Sequence, residues 1–591
     1  MPCIKERIST LGGMIWRSLL FYSAGVVCFI LPASANEGRV LLPHSYNADQ
    51  QPANVIMSPD QYLINQQQRQ RALQQSVTPQ SPDVRLSQPG GRSKYLRFPQ
   101  ETRCFTLSEV KISGVDTMPF WLHLNHISRQ ANGHCLGVQG ISLLMSTLQN
   151  RLVDAGYITT RVLAPAQDLN GGKLELLLVP GKIRQTKLTA GSGHYVSLYT
   201  AFPAHSGGLL DLRDIEQGLE NLQRLPTVKA NVEILPGQQP GESDIVLNWQ
   251  QQRMWRAGVS LDDAGSRSTG RYQGGLTLSV DNPFSLSDLF YLAGNRSLNN
   301  NSANGSGNIT GHYSVPLGYS LLSITGSSYD YHLTAAGMNS DIRYSGKSSS
   351  LDVQLSHVLH RSGNQKTTLT YDVLMRQSGN KTDDVEIEVQ RRLVSAWRIG
   401  LDNRHFFPFG TLNTGISYQQ GTRWFGAIPA PEESAGDATA LSRIVQLTAK
   451  FAMPFEVAKS QFRYNMQYKR QLSSTWLTPQ DQFAIGNRWT VRGFDGERTL
   501  NADSGWYLSN ELAWALPQAQ AEELYLGVDY GEVGGHGAKN LLGRRLAGGA
   551  IGVRGRRWGM GYDLFAAMPF SKPDGFSTDP WTMGFTVNWQ Y

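Results

Sequence analysis

The chain has 591 residues, and its 54 basic against 47 acidic side chains leave a net charge of +7, a mild bias that carries no nucleic-acid signal. Only 17% of residues are charged, while 60 are glycine, 13 tryptophan and 23 tyrosine, which suits many β-strands with aromatic girdles better than an enzyme of helices and sheets. After the first thirty-five residues no run approaches 18 apolar positions, so no transmembrane helix is expected.

Residues 1–35 read as a signal peptide. Lys5, Arg7 and Arg17 form a basic start, Ser18 to Pro32 is mostly apolar, and Ala33-Ser34-Ala35 is a small-x-small cleavage site that predicts a mature chain from Asn36. Residues 36–59 carry the composition of a disordered N-terminus. Residues 60–75 predict a helix started by Ser58-Pro59. It is rich in Gln and Arg with little apolar face, so it suits either a solvated tail or a wet, polar cavity rather than a core. Residues 76–102 form a linker with Pro79, Pro82 and Pro89.

Cys3 and Cys28 leave with the leader, so Cys104 and Cys135 are the cysteines of the mature chain. In an oxidising compartment they are expected to pair, closing a loop of about 30 residues worth about 3 kcal/mol, the alternative being two buried free thiols. Two cysteines without a C-x-x-C neighbour do not make a metal site, and no metal or cofactor is expected.

Residues 103–181 predict a small α/β module. Phe105 to Val115 is strand-like, and Gly140 to Ala155 is a helix with Ile141, Leu144, Met145, Leu148 and Leu152 on one face, stopped by Gly156. Strands Tyr157 to Leu163 and Lys173 to Val179 follow. Residues 182–252 repeat this order: strand Ile183 to Leu188, helix Asp211 to Arg224 capped by Asp211, then strands Val228 to Leu235 and Ser243 to Gln250.

From residue 253 to Tyr591 the pattern is β. Leu276 to Val280 alternates strictly, and Asn295 to Asn308 reads as a flexible polar stretch. In the last strand Met583, Phe585, Val587, Trp589 and Tyr591 are apolar at every second position, so one face would meet lipid and the other a polar lumen. At roughly 20 residues per strand and connection the segment allows about sixteen strands.

Val491-Arg492-Gly493-Phe494 sits in a long polar connection, Gly486 to Gly505, and Gly527-Val528-Asp529-Tyr530-Gly531 follows about 35 residues later. An arginine and an aspartate in glycine-bounded motifs point to an ion pair held where backbones pass closely. The two motifs resemble those of the outer-membrane barrel superfamily that assembles or exports proteins, in which a V/I-R-G-F/Y loop enters the lumen and its Arg meets the Asp of a G/F-x-D-x-G strand. The two small modules resemble POTRA domains. Cys104-Phe105, Cys135-Leu136-Gly137, Gly156 to Arg161 and Gln167-Asp168-Leu169 look like the first POTRA of a two-partner secretion transporter, and Arg213 to Leu219 with Gly241 to Ile245 look like the second.

The mature chain thus resembles a two-partner secretion transporter of the haemolysin-secretion type: plug helix, linker, two POTRA domains and a transmembrane antiparallel β-barrel of about sixteen strands. The resemblance implies a monomer in the outer membrane with its POTRA domains in the periplasm. It would thread an unfolded partner exoprotein (a haemolysin, an adhesin or a contact-dependent toxin) to the cell surface, with residues 60–75 plugging the resting pore. An aromatic terminal residue, Tyr591, with Phe585, Val587 and Trp589 should serve insertion by the barrel-assembly machinery. Extended cargo could add to a POTRA strand edge, with Gln167, Asp168 and Leu169 and also Arg213, Asp214 and Glu216 as candidate contacts. H-E-x-x-H, a Walker-type loop and G-x-S-x-G are all absent from the sequence, so no enzyme and no bound nucleotide are expected. A barrel-assembly factor of the same superfamily is the alternative; it would usually carry more than two POTRA units, and a passive porin would carry none.

Overall fold

The computed structural model describes residues 59–79, 82–86, 96–193, 195–298, 303–336, 340–517 and 521–591. The expected leader and residues 36–58 lie outside them. Helix α1 spans Pro59–Val77, starting on the proline, whose fixed φ suits a first turn, and running two residues past the predicted end into the expected linker.

The first module is built on strands β1 (Glu109–Ser113), β2 (Arg161–Leu163) and β3 (Lys173–Val179), in spatial order β1-β3-β2, with β1 and β3 parallel. Helix α2 (Val138–Ala155) lays Leu144, Leu148 and Leu152 on Leu174, Leu176 and Leu178 of β3, an i,i+4 stripe meeting an alternating one. Two expectations shift for local reasons. The stretch Phe105 to Val115 breaks at Leu107, which turns into the core, while Ser108 and Glu109 bond to the Gly172 carbonyl. The strand expected from Tyr157 starts only at Arg161, because Gly156 closes α2 in the left-handed region and the Tyr157 N–H returns to the Leu152 carbonyl. The N-terminus of α2 is capped from outside the helix: Glu101 accepts from the N–H groups of Gly137, Gln139 and Gly140 at 2.8–3.0 Å.

The second module repeats the plan with β4 (Lys182–Leu188), β5 (Val228–Pro236) and β6 (Glu242–Gln251) in order β4-β6-β5. A short helix α3 (Leu198–Ala201) precedes α4 (Leu212–Gln223), whose Ile215, Leu219 and Leu222 enter the core and whose Asp211 cap accepts from Arg213 N at 2.8 Å.

Sixteen long antiparallel strands then close a barrel. They are β7 (Trp255–Asp262), β8 (Gln273–Asp281), β9 (Leu289–Ser297), β10 (Gly305–Leu317), β11 (Ser320–Ala336), β12 (Asp341–Arg361), β13 (Gln365–Thr382) and β14 (Arg392–Phe407). The second half is β15 (Gly410–Thr422), β16 (Arg443–Val457), β17 (Ser460–Ser473), β18 (Ser504–Ala515), β19 (Glu523–Gly534), β20 (Arg545–Arg557), β21 (Met560–Ser571) and β22 (Thr582–Gln590). Closure comes from Thr586–Gln590 of β22 pairing with Gly258–Asp262 of β7, which leaves no free edge. Among the described residues no helix is long and apolar enough to cross a membrane; the crossing is made by strands.

Alternation explains the lining. On β8, Leu276 and Leu278 are exposed on the outer face while Ser279 and Asp281 are buried on the inner one. Asn295 to Asn308, expected as a flexible stretch, is partly ladder: β9 runs through Ser297, β10 starts at Gly305, and Asn295 pairs with Asn308. Polar side chains there do not break the strands, because the backbone hydrogen bonds are made by the ladder whatever side chain points inward.

Candidate functional site: a lumen loop, a lumen helix and a charged junction

The connection between β17 and β18 leaves the barrel wall at the end opposite the two modules and folds inward. Phe483–Ile485 pairs with Leu500–Ala502 as a small hairpin, and Val491, Phe494, Leu500 and Leu546 pack into an apolar cluster with the wall. This cluster holds Arg492 in one place. Its Nε donates to Asp529 Oδ2 at 2.7 Å and one Nη to Oδ1 at 2.8 Å, while its backbone N–H donates to Oδ2 at 2.9 Å. The other Nη reaches Glu511 Oε2 at 2.8 Å. The Asp529 side chain is fully buried. The glycines give this arm its room. Gly493 has φ 109°, and a Cβ there would strike the Met568 carbonyl; a Cβ at Gly527 would strike the Arg492 guanidinium itself. Gly531 lies under Val491 and Ile485.

The sequence reading brought Arg492 and Asp529 together as the structure does, and missed their companions. Ser509 Oγ donates to Asp529 Oδ1 at 2.7 Å, and Arg554 holds the far oxygen of Glu511 at 2.7 Å. Ser509 and Glu511 lie two apart on β18, so strand alternation alone would have put both on the lumen face with Tyr507.

Helix α1 lies inside this lumen. On one side it meets the inward loop: Asn65 Nδ2 donates to the Gly496 carbonyl at 2.9 Å, Gln68 Nε2 to the Ala484 carbonyl at 3.2 Å, and Asn487 donates to Gln68. On the other side it meets the wall: Arg69 reaches both oxygens of Asp262 at 3.3 Å, Gln70 bonds to Ser327, and Gln74 donates to Thr325 at 3.4 Å. The wet-cavity reading of this helix therefore holds over the solvated tail. Asn65, Gln68, Gln70 and Gln74 pair with polar groups, each contact individually weak and exchangeable for water.

Cys104 and Cys135 form a disulfide across 31 residues. In the first module Gln167 bonds back to β3 at Glu175, accepting from its N–H at 2.7 Å and donating to its carbonyl at 2.8 Å, while Asp168 is exposed and Leu169 packs half-buried on the core.

Arg213 and Glu216 sit elsewhere than expected. Both are buried, so they offer cargo no surface, and Asp214 is bonded to the Tyr319 hydroxyl at 2.6 Å. The physical reason is that α4 docks under the barrel. Arg361, at the end of β12, donates to Glu220 at 2.7 Å, to Gln217 at 2.9 Å and to the Val84 carbonyl at 2.7 Å, and lies 3.4 Å from Glu216, which also pairs with Arg213 at 2.7 Å. Lys366 donates to Glu220 at 2.6 Å, and Arg404 grips Asp83 at 2.6 Å. Asp83 to Leu86, downstream of α1, is thereby clipped between second module and barrel. No motif announced Arg361 or Lys366, since charges at a strand end look like any solvated turn.

In β22, Phe585 pairs with Leu564 and Trp589 with Val259, and Met583 and Trp589 are exposed outward, with the Tyr591 ring tilted against Trp255 at 5.3 Å between centroids. Among the described residues no three His, Cys, Asp or Glu side chains converge as metal ligands.

Residues 241–555 match the family described as haemolysin secretion/activation protein ShlB/FhaC/HecB; residues 105–181 match the ShlB-type POTRA domain and 182–236 a POTRA domain. The chain is 34% identical over 546 residues to the outer membrane transporter CdiB-2 of Burkholderia pseudomallei, covering 89% of this chain and 93% of that one. It is 27% identical to the hemolysin transporter protein ShlB of Serratia marcescens over 76% and 77% of the two chains. The solved structure of CdiB from Escherichia coli superposes with a TM-score of 0.80 at 27% identity, covering 91% of this chain and all of that one.

Proposed function

The chain belongs to the haemolysin secretion/activation protein family and is an outer-membrane transporter of two-partner secretion with periplasmic POTRA domains; from that premise we propose that α1 is its resting plug, released to let an unfolded exoprotein pass. The observation that carries this reading is the placement of a polar helix inside a closed sixteen-stranded barrel, bonded to wall and inward loop. A cavity of about 470 Å³ beside it, lined by Arg71, Lys450, Lys469 and several glutamines, leaves the surroundings wet.

The partner is a secreted exoprotein of the kind these transporters serve: a haemolysin, an adhesin or a contact-dependent toxin. Its entry point is the first POTRA domain near Gln167, Asp168 and Leu169, where an extended chain could replace the Gln167 side chain on the backbone of β3. Arg213, Asp214 and Glu216 act instead as positioning residues that fix the second domain under the pore. The outward aromatic positions of β22 serve insertion by the barrel-assembly machinery, and the chain works as a monomer without a cofactor. Folding of the partner outside, which removes extended chain from the pore, supplies the drive.

Planar-bilayer conductance of the chain lacking residues 60–75 tests the plug. Conductance should rise while secretion of the partner persists. Unchanged conductance would mean that something other than α1 closes the pore.

A further inference from the structure

The second POTRA domain carries exposed rings beside the rim of the barrel that none of the roles above requires. Tyr199, on α3, is 87% exposed and Tyr195, four residues earlier, 65%. In the barrel, Phe284 of the β8–β9 turn is 68% exposed and Leu317, at the end of β10, 50%.

This segment is fixed to two turns of the barrel. Asn282 Nδ2 donates to the Tyr195 carbonyl at 2.6 Å, and Thr200 Oγ1 to the Leu286 carbonyl at 3.2 Å. The Gly318 N–H donates to the Thr200 carbonyl at 2.8 Å. Its position relative to the wall follows from alternation on β10. Thr310, His312 and Ser314 point into the lumen, His312 stacking on Tyr291 and Ser314 accepting from Arg224 under the pore. Ile309, Tyr313 and Val315 therefore point outward, toward lipid. Ile309 is 57% exposed there, whereas Val315 is only 8% exposed, and α3 packs against this strand. The bonds to the Leu286 carbonyl and the Gly318 N–H hold α3 at the periplasmic rim beside this covered outward position, at the level where hydrocarbon gives way to headgroups.

We propose that Tyr195–Ala201 is a membrane foot of the second POTRA domain, with Tyr195 and Tyr199 seated in the headgroup region of the periplasmic leaflet beside Phe284 and Leu317. Tyrosine suits that level because its ring buries in acyl chain while its hydroxyl stays wet. The patch continues the lipid-facing band of the barrel, so a phospholipid surface is the occupant that the geometry brings to it. The foot adds a third support to the ionic clamp at Arg361 and the covalent join at β7, and fixes the tilt of the domain against the bilayer.

The test uses the full-length chain in nanodiscs of phosphatidylethanolamine and phosphatidylglycerol. Tyr195→Cys and Tyr199→Cys are each labelled with an environment-sensitive fluorophore. Gln238→Cys, exposed on the β5–β6 hairpin far from the barrel, is the reference. Lipid carrying a nitroxide high on its acyl chain should quench most of the fluorescence at 195 and 199 and leave 238 bright. Labels at 195 and 199 as bright as at 238 would overturn the proposal, whether water or a protein covers the patch. Both substituted side chains are exposed, so folding is not at stake, and the two positions check each other.

Discussion

Glu511 stands directly opposite Gly527 in the ladder between β18 and β19, and the Arg492 guanidinium fills the space that the missing side chain leaves. Ser509 stands opposite Asp529 one pair further along the inner face, so two adjacent inward positions on each strand build the receptor for one arginine.

That receptor orders the variants. Arg492→Ala strips the buried Asp529 of its fork and Glu511 of one of two partners, and loss of a buried partner costs about 3–5 kcal/mol. Asp529→Ala should cost less, because Arg492 keeps Glu511. Gly527→Ala should behave like Arg492→Ala, since a methyl group occupies the guanidinium's place. Arg492→Lys should not restore secretion fully, because an ammonium cannot make the planar fork. The Arg492→Ala/Asp529→Ala pair should be no worse than the worse single change. Secretion assays at matched membrane levels decide it, and strictly additive losses would show that the two residues act apart.

The disulfide makes a separate prediction. Closing 31 residues should stabilise the first POTRA domain by about 3 kcal/mol without touching the barrel. Reduction should lower the melting of the periplasmic part alone. Two alkylatable thiols in the purified protein under non-reducing conditions would contradict the bridge.

Asp211 gives the periplasmic part a pH dependence. Burial pushes its carboxyl up to about 6, despite the helix N–H that it caps. The unfolded chain titrates near 4. A raised pKa means that the contribution is complete below about pH 4 and is lost as pH rises through about 6. The wild-type domain pair should therefore lose stability across that window. Asp211→Asn keeps a capping acceptor and removes the charge, so its melting temperature should be flatter there. Equal slopes in the two proteins would assign the dependence elsewhere.

What the sequence made legible was whatever rests on period or on paired motifs. The alternation in the last strand, the i,i+4 leucines of α2 and the glycine-bounded Arg492 and Asp529 all follow from local rules. The two modules and the barrel lie where those patterns put them. The misses have one cause. Glu101 caps α2 from 36 residues before Gly137, Arg361 meets Glu216 and Glu220 from another domain, and Gln167 folds back on Glu175. Each pairing is set by how modules dock or loops return, and no local period records it. Arg213 and Glu216 looked like surface charges because helix spacing does not say that a barrel covers that face. For Gln70 and Ser327, 257 positions apart, only the closed barrel makes them neighbours.

That pair gives the most direct test of a plug that must leave. Gln70→Cys and Ser327→Cys together, bridged by a bifunctional methanethiosulfonate that spans the reach of the lost glutamine side chain through two reducible disulfides, should tie α1 to β11 inside the lumen. With the lock closed, secretion of the partner exoprotein should stop while membrane levels and barrel folding stay normal; a reductant mild enough to spare the Cys104–Cys135 bridge should restore it. Single-cysteine variants should secrete throughout. Full secretion with the lock shown closed by non-reducing mass spectrometry would contradict the account, because the exoprotein would then be crossing a pore that α1 still occupies.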